Sequence, residues 1–215
     1  MNNPTETFDK QLPQSKLMGV RKAAARYVTG PLVQLIAKTK LTPNGLTWIG
    51  FAIIAAGAVL VVSGHMLAAG FVVLVASFFD LLDGALARRT NRVTRYGSVL
   101  DSSLDRAAEA LLFGGIMAFY SMHPGSQSIA IILLAVIAMS TSFLVSYVRA
   151  RAEGAGLKCE VGLLTRAERI GLLVIGLWFS GINYALVIIL SIIALLSLIT
   201  AGQRLNCVWQ QTKFE

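Results

Sequence analysis

The sequence contains little charge. Asp, Glu, Lys and Arg together make up 14% of its 215 residues, whereas hydrophobic residues make up 55%. Soluble domains usually carry about 25% charged residues, so this composition argues against an ordinary cytosolic enzyme and against a disordered chain. The two cysteines are too few for a disulfide scaffold. The composition therefore predicts an integral membrane protein, and the length suits one domain.

Acidic residues are especially scarce. Eleven Asp and Glu stand against 19 Lys and Arg, which gives a formal net charge of +8. In a soluble protein such an excess would suggest nucleic acid as a partner. Here the basic residues lie between hydrophobic runs, so anionic lipid and phosphate-bearing substrates are the better expectation, and no nucleic-acid partner is expected.

The hydrophobic runs predict an all-α, polytopic membrane fold. A membrane-spanning helix needs about 20 mostly apolar residues. Six segments come close to this: 44–63, 66–87, 98–120, 128–150, 167–181 and 184–205. Ahead of them, Leu12 to Val28 mixes apolar and basic residues, which predicts an amphipathic helix on the membrane surface. No signal peptide is expected. The domains expected are an N-terminal segment 1–40, a six-helix domain 41–205 and a tail 206–215.

The distribution of charge predicts the orientation. The joins after the first, third and fifth spans contain no charged residue, and nearly all Lys and Arg lie in the termini and the joins 88–97 and 149–169. The positive-inside rule therefore places both termini and these two joins in the cytoplasm, at the cell membrane. Cys159 and Cys207 then lie on the reducing side, so no disulfide is expected between them.

Four aspartates lie where a membrane protein usually avoids them. Asp80 and Asp83 are three residues apart near the end of the second span, and Asp101 and Asp105 are four apart near the start of the third. Each spacing places its two carboxylates on one helix face. Because the two helices should be antiparallel neighbours, the four carboxylates are expected to converge near the cytoplasmic surface.

Converging carboxylates repel one another unless a cation joins them. Pairing with nearby arginines such as Arg88 is the simpler explanation, but it would not require four aspartates at these spacings. Hard divalent cations take oxygen ligands and commonly work with substrate phosphates. The cluster therefore predicts two bound divalent cations, Mg²⁺ or alternatively Mn²⁺, in a site for phosphoryl transfer.

These residues resemble a known family signature. The segment Asp80-x2-Asp83-Gly84-x2-Ala87-Arg88-x8-Gly97-x3-Asp101-x3-Asp105 agrees with the CDP-alcohol phosphotransferase signature at all eight fixed positions. The family's six spans and its N-terminal amphipathic helix are also expected here, so the resemblance extends over nearly the whole chain.

The resemblance implies a reaction and a set of residue roles. Family members transfer a phosphatidyl-type group from a CDP-linked lipid to an alcohol and release CMP. It implies that the four aspartates bind the metal ions and that Asp105 is also the general base. It further implies a CDP-lipid site formed by Pro43, Asn44, Gly84, Arg88 and Thr94.

The second basic join bears on the acceptor alcohol. Arg149 ends the fourth span, Arg166 and Arg169 begin the fifth, and Arg204 ends the sixth, so these side chains could converge near the metal site. Several arginines suit a phosphate group on the acceptor. The simpler alternative, that they only set the topology, is preferred for Arg151.

The same stretch resembles one branch of the family. Its residues look like those of the prokaryotic members whose acceptor is inositol phosphate, and of their archaeal ether-lipid counterparts. This resemblance places Ser146, Arg149, Arg169 and Arg204 in the acceptor pocket, although position 149 is often Lys in the bacterial enzymes. Glycerol 3-phosphate is the alternative acceptor.

Two further expectations concern the oligomeric state and an alternative class of function. The resemblance implies a homodimer, for which Gly50, Gly57 and Gly114–Gly115 are the small-residue candidates. A cation transporter is the alternative class of function. It is less favoured because ionisable residues are confined to one side of the spans and do not form a path across them.

Overall fold

The computed structural model describes Gln34 and residues 41–90, 92–159 and 161–213. Within these ranges the chain forms six α-helices and no β-strand, which confirms the all-α fold class. The helices are α1 (Pro43–Val62), α2 (Met66–Arg89), α3 (Arg95–Met122), α4 (Ser128–Gly154), α5 (Arg166–Trp178) and α6 (Ala185–Thr212). The amphipathic helix expected over residues 12–28 lies outside the described residues.

Four of these helices, α1, α2, α4 and α6, are long and apolar enough to cross a membrane. Charged residues in the first half of α3 reduce its hydropathy, and α5 has only 13 residues. At 1.5 Å per residue α5 is about 20 Å long, whereas the hydrocarbon core of a bilayer is about 30 Å thick. In the described part of the chain, four of the six expected spans therefore meet the criteria of length and composition.

Two helices, α1 and α3, begin at threonine N-caps. The Thr42 hydroxyl accepts a hydrogen bond from the Gly45 amide at 3.1 Å, and Pro43 occupies the first turn of α1. The Thr94 hydroxyl likewise accepts from the Gly97 amide at 3.0 Å at the start of α3. Such caps satisfy amide groups that have no partner within the helix. Thr42 and Thr94 thus define where α1 and α3 begin.

The helices pack as a single bundle. Helix α1 lies against α2 and α3, α4 lies against α3 and α6, and α5 packs between α2 and α6. A Cβ atom at Gly50 would come within 3.2 Å of the Asp80 carboxylate, and one at Gly57 within 3.2 Å of Val73. A Cβ at Gly115 would lie 3.0 Å from the Ala58 carbonyl oxygen. These three glycines, candidates for dimer contacts, let helices within the chain approach one another closely.

The structure corrects one expectation about the cysteines. Cys159, which follows α4, and Cys207 on α6 are joined in a disulfide, with their Cα atoms 6.1 Å apart. The sequence argument considered only the redox state of the compartment. It could not anticipate that the segment after α4 folds back onto α6, which brings the two cysteines within the usual disulfide separation.

The disulfide leads to a direct prediction. Protein purified without reductant and denatured in detergent is expected to take up no maleimide label at either cysteine, because neither sulfur is a free thiol. Labelling of both cysteines should follow treatment with a reductant. Cys207→Ser provides the control, since it should free a single thiol at Cys159 without reduction. Full labelling of the wild-type protein before reduction would contradict the disulfide.

Candidate active site

The four aspartates lie on the facing ends of α2 and α3. Asp80 and Asp83 are on the last turns of α2, and Asp101 and Asp105 are on the first turns of α3. Asp80 lies within electrostatic reach of the other three carboxylates. Asp83 is buried and the others are partly buried. The helical spacing in the sequence therefore brings the four acidic groups into one neighbourhood.

Asp83 has a partner that the sequence interpretation missed. The Thr47 hydroxyl on α1 donates a hydrogen bond of 2.8 Å to the Asp83 carboxylate, and both side chains are buried. Thr47 lies three residues after Asn44, on the same face of α1. This three-residue interval from Asn44, an expected CDP-lipid residue, was the feature of the sequence that could have identified Thr47. The bond fixes the orientation of the Asp83 carboxylate and links α1 to the acidic cluster.

A cavity of about 340 Å³ adjoins the aspartates. All five residues expected to contact the CDP-lipid line it, together with two of the aspartates: Pro43, Asn44, Gly84, Arg88, Thr94, Asp83 and Asp101. Arg92 is a further lining residue, which the sequence interpretation did not select. Two guanidinium groups and two carboxylates therefore border one cavity, a combination suited to a phosphate-containing ligand with bound cations.

Close contacts shape one end of this cavity. A Cβ atom at residue 97 would lie 3.0 Å from both the Asn44 amide oxygen and the Thr94 hydroxyl. The glycine at this position therefore lets the start of α3 approach the start of α1. The two expected nucleotide-contacting side chains, Asn44 and Thr94, are brought together as a result.

Arg166 lies on the other side of the aspartates. Its Nη1 is 2.8 Å from a carboxylate oxygen of Asp80, and its Nη2 is 2.8 Å from one of Asp105. One guanidinium thus bridges α2 and α3 from the first residue of α5. Within the residues that the structure describes, no three His, Cys, Asp or Glu side chains stand close enough together to hold a metal ion.

The donor set nonetheless fits a divalent cation. Carboxylate oxygens are the ligands that Mg²⁺ and Mn²⁺ prefer. The position of Arg166 shows that Asp80 and Asp105 together accommodate a positive group. Asp80 and Asp105 would therefore hold a divalent cation together with oxygens of Asp83 and Asp101.

The structure brings the expected acceptor arginines together, and each bonds a protein group. The Arg204 guanidinium is buried; it donates to the Val145 carbonyl at 2.7 Å and to the Val161 carbonyl at 3.0 Å. Arg149 and Arg169 both lie within its electrostatic reach. Arg149, Arg169 and Arg204 thus form one group of positive charge.

The remaining acceptor residues differ in exposure. Arg149 is exposed and pairs with Glu153 at 2.7 Å. Ser146, one turn earlier on α4, donates to the Ser142 carbonyl at 3.1 Å. Arg169 is buried and pairs with Glu109 on α3 at 2.8 Å. Arg149 and Ser146 are thus more accessible to a small ligand than Arg169.

Comparisons with known proteins identify the family. Residues 40–203 match the CDP-alcohol phosphatidyltransferase family. The chain is 36% identical over 185 residues to phosphatidylinositol phosphate synthase of Mycobacteroides abscessus, covering 84% of this chain and 83% of that protein. It is 34% identical over 208 residues to archaetidylinositol phosphate synthase of Methanothermobacter thermautotrophicus, covering 93% and 97%. The chain belongs to the CDP-alcohol phosphatidyltransferase family, and it is a multi-pass membrane protein.

Solved structures agree with this assignment. Phosphatidylinositol phosphate synthase of Mycobacterium tuberculosis, crystallised with CDP-DAG bound, superposes with a TM-score of 0.77 at 33% identity, covering 85% of this chain and 94% of that chain. The same enzyme crystallised with manganese and citrate also gives a TM-score of 0.77 at 33% identity, covering 84% and 88%. A divalent metal is therefore found in the family.

Proposed function

We propose that this protein transfers the phosphatidyl group of CDP-diacylglycerol, or of an archaeal analogue, to an inositol phosphate and releases CMP. One observation carries the proposal: Asp83 and Asp101 line the cavity formed by the expected CDP-lipid residues, while Asp80 and Asp105 pair with Arg166 at the start of α5, the helix that also carries Arg169. The names of the relatives support both the donor and the acceptor.

The CDP headgroup of the donor would occupy the 340 Å³ cavity. Asn44, Thr94 and Gly84 would contact the nucleotide, and Arg88 and Arg92 would pair with its phosphate oxygens. Two divalent cations, Mg²⁺ or Mn²⁺, would be held by Asp80, Asp83, Asp101 and Asp105. When bound, such cations neutralise the charge that develops on the phosphates. The protein's own contribution is to align donor and acceptor across the acidic cluster.

Asp105 would act on the acceptor. It lies on the arginine side of the cluster, within 2.8 Å of Arg166. There its carboxylate would accept the proton of the acceptor hydroxyl as the oxygen bonds to the lipid-side phosphorus. The bond between that phosphorus and the oxygen of CMP breaks in the same transfer, and CMP leaves with the electron pair.

The acceptor phosphate would meet the arginines. Arg149 and Ser146 lie on α4, while Arg169 and Arg204 approach from α5 and α6. Binding would exchange some of their present bonds to protein groups for bidentate bonds to phosphate oxygens. Glycerol 3-phosphate, which also carries a phosphate, is the alternative acceptor within the same reaction class.

The arrangement in the membrane follows from the charges. We propose that all six helices lie in the cell membrane, with α3 and α5 contributing charged ends at the cytoplasmic surface. Both termini and the active site would face the cytoplasm. Residues 1–40 would form an N-terminal segment, 41–205 the membrane domain and 206–215 the tail. Two copies would form a homodimer.

An acceptor panel tests the proposed function. The purified protein in detergent, supplied with CDP-diacylglycerol and Mg²⁺, is expected to release CMP with inositol 3-phosphate. Free inositol and serine should give no release, because neither offers a phosphate to the arginines. Release driven by glycerol 3-phosphate alone would keep the reaction class and replace the acceptor. Release driven by free inositol or serine would contradict the proposed role of the arginines.

A further inference from the structure

Glu109 is a buried carboxylate that neither the family signature nor the proposed reaction uses. It lies on α3 one turn beyond Asp105, so Asp101, Asp105 and Glu109 follow one another at intervals of four residues along one face. Its side chain is only 1% exposed. A carboxylate at this depth is costly unless it is paired, and its partners therefore indicate its use.

Two arginines share the Glu109 carboxylate. Arg169 donates from Nε at 2.8 Å and from Nη2 at 3.4 Å, so its guanidinium lies side-on to the carboxylate. Arg106 donates to the second carboxylate oxygen at 3.1 Å. Side-on pairing fixes the plane of the Arg169 guanidinium as well as its position.

This ion pair connects helices that are not principal packing partners. Helix α3 packs mainly against α1 and α4, and α5 packs mainly against α2 and α6. The pair between Glu109 and Arg169 therefore spans the interior between α3 and α5. Through these two long side chains, the ion pair sets the separation of α3 and α5.

A second ion pair crosses the same gap one turn nearer the site. Arg166 pairs with Asp105 there, and its side chain is 22% exposed while that of Asp105 is 15% exposed. The inner pair is almost wholly enclosed, at 1% for Glu109 and 2% for Arg169. The outer pair is therefore the more accessible of the two to ligands, and the enclosed inner pair ties the start of α5 to α3.

We infer that Glu109 is a positioning residue for the acceptor side of the site: by binding Arg169 and Arg106 it holds the start of α5, and with it Arg166, beside Asp105. This rests on the proposed function, because it assumes that the acceptor phosphate meets these arginines. Without the Glu109 charge, Arg169 becomes an uncompensated buried cation and its guanidinium loses its fixed plane.

The test separates acceptor binding from donor binding. Glu109→Gln is expected to raise the KM for inositol phosphate about tenfold, while the KM for CDP-diacylglycerol changes by less than about twofold. Arg151→Gln, at an exposed position near the end of α4, serves as the surface-charge control and should change neither KM. Equal increases of both KM values in Glu109→Gln would overturn the inference, because that is the result of general destabilisation.

A double-mutant cycle tests whether Glu109 acts through Arg169. If Glu109 acts through Arg169, Glu109→Gln combined with Arg169→Gln should raise the acceptor KM no more than the worse single variant does. Effects that multiply would show that the two residues act independently and would contradict the inference. Should Glu109→Gln not fold, Glu109→Asp replaces it, with the same requirement that the acceptor KM rise more than the donor KM.

The outcome is distinguishable from failure of the proposed function. If the wild-type protein used glycerol 3-phosphate in place of inositol phosphate, the proposed acceptor would be wrong. The comparison of acceptor KM and donor KM, made with glycerol 3-phosphate, would still decide the role of Glu109. A rise confined to the acceptor KM supports it, and unchanged values in Glu109→Gln overturn it.

Discussion

Replacing Asp105 by Asn is expected to lower CMP release about 10³-fold while leaving the binding of CDP-diacylglycerol largely intact. The amide keeps the shape of the side chain and can still accept a hydrogen bond from Arg166, which lies 2.8 Å from the Asp105 carboxylate. It cannot take up the proton of the acceptor hydroxyl. Loss of a general base usually lowers turnover about 10²- to 10⁴-fold, and we expect about 10³-fold here because Asp105 would also hold a cation.

The measurement is CMP release at saturating donor and acceptor, beside a thermal shift on addition of CDP-diacylglycerol. Ser103→Ala is the control on the same helix, since its hydroxyl is exposed and bonds only the Val99 carbonyl one turn earlier among its described contacts. That variant should keep turnover within about twofold of the wild type. Turnover of the wild-type level in Asp105→Asn would remove Asp105 as the base.

Replacing Arg204 by Ala is expected to raise the KM for the acceptor at least tenfold and to change the KM for CDP-diacylglycerol little. The substitution removes a buried cation from the arginine group, together with the hydrogen bonds that Arg204 donates to the carbonyls of Val145 and Val161. A hydrogen bond from a charged group contributes about 1.5–3 kcal/mol. Val145 lies one turn before Arg149 on α4.

Arg204→Lys refines this test. Lysine keeps the charge but lacks the planar fork that reaches two carbonyls at once, so its acceptor KM should fall between those of the wild type and Arg204→Ala. Arg151→Ala supplies the matched arginine control. Equal rises of both KM values in Arg204→Ala would place Arg204 outside the acceptor pocket, and a melting temperature measured in parallel would report any loss of stability.

The segments that could be predicted from the sequence are those set by local spacing. Apolar runs bounded by Pro43, His65 and Gly125 gave helix positions close to those found, and the intervals between the aspartates placed them on facing helix ends. The five residues expected in the CDP-lipid site all line one cavity. The placement of the aspartates follows because helical geometry relates residues three or four positions apart, whereas the five residues of the CDP-lipid site were implied by the family resemblance.

The features that were missed depend on contacts between distant segments. The disulfide needs Cys159 to fold back onto α6, and the Arg166 bridge needs α5 to reach α2 and α3 together. Neither distance can be obtained from periodicity. Glu109 is different, because its four-residue interval after Asp105 was visible in the sequence. Its partner Arg169, 60 positions later, was not.

Identification of the lipid product tests the central claim most directly. The protein, CDP-diacylglycerol, Mg²⁺ and inositol 3-phosphate would be incubated together, with CMP quantified and the lipids examined by mass spectrometry. We predict one phosphatidylinositol phosphate formed for each CMP released, and neither product when the divalent cation is chelated. CMP release without a new lipid of that mass, or the same yield from Asp105→Asn, would contradict phosphatidyl transfer at the four aspartates.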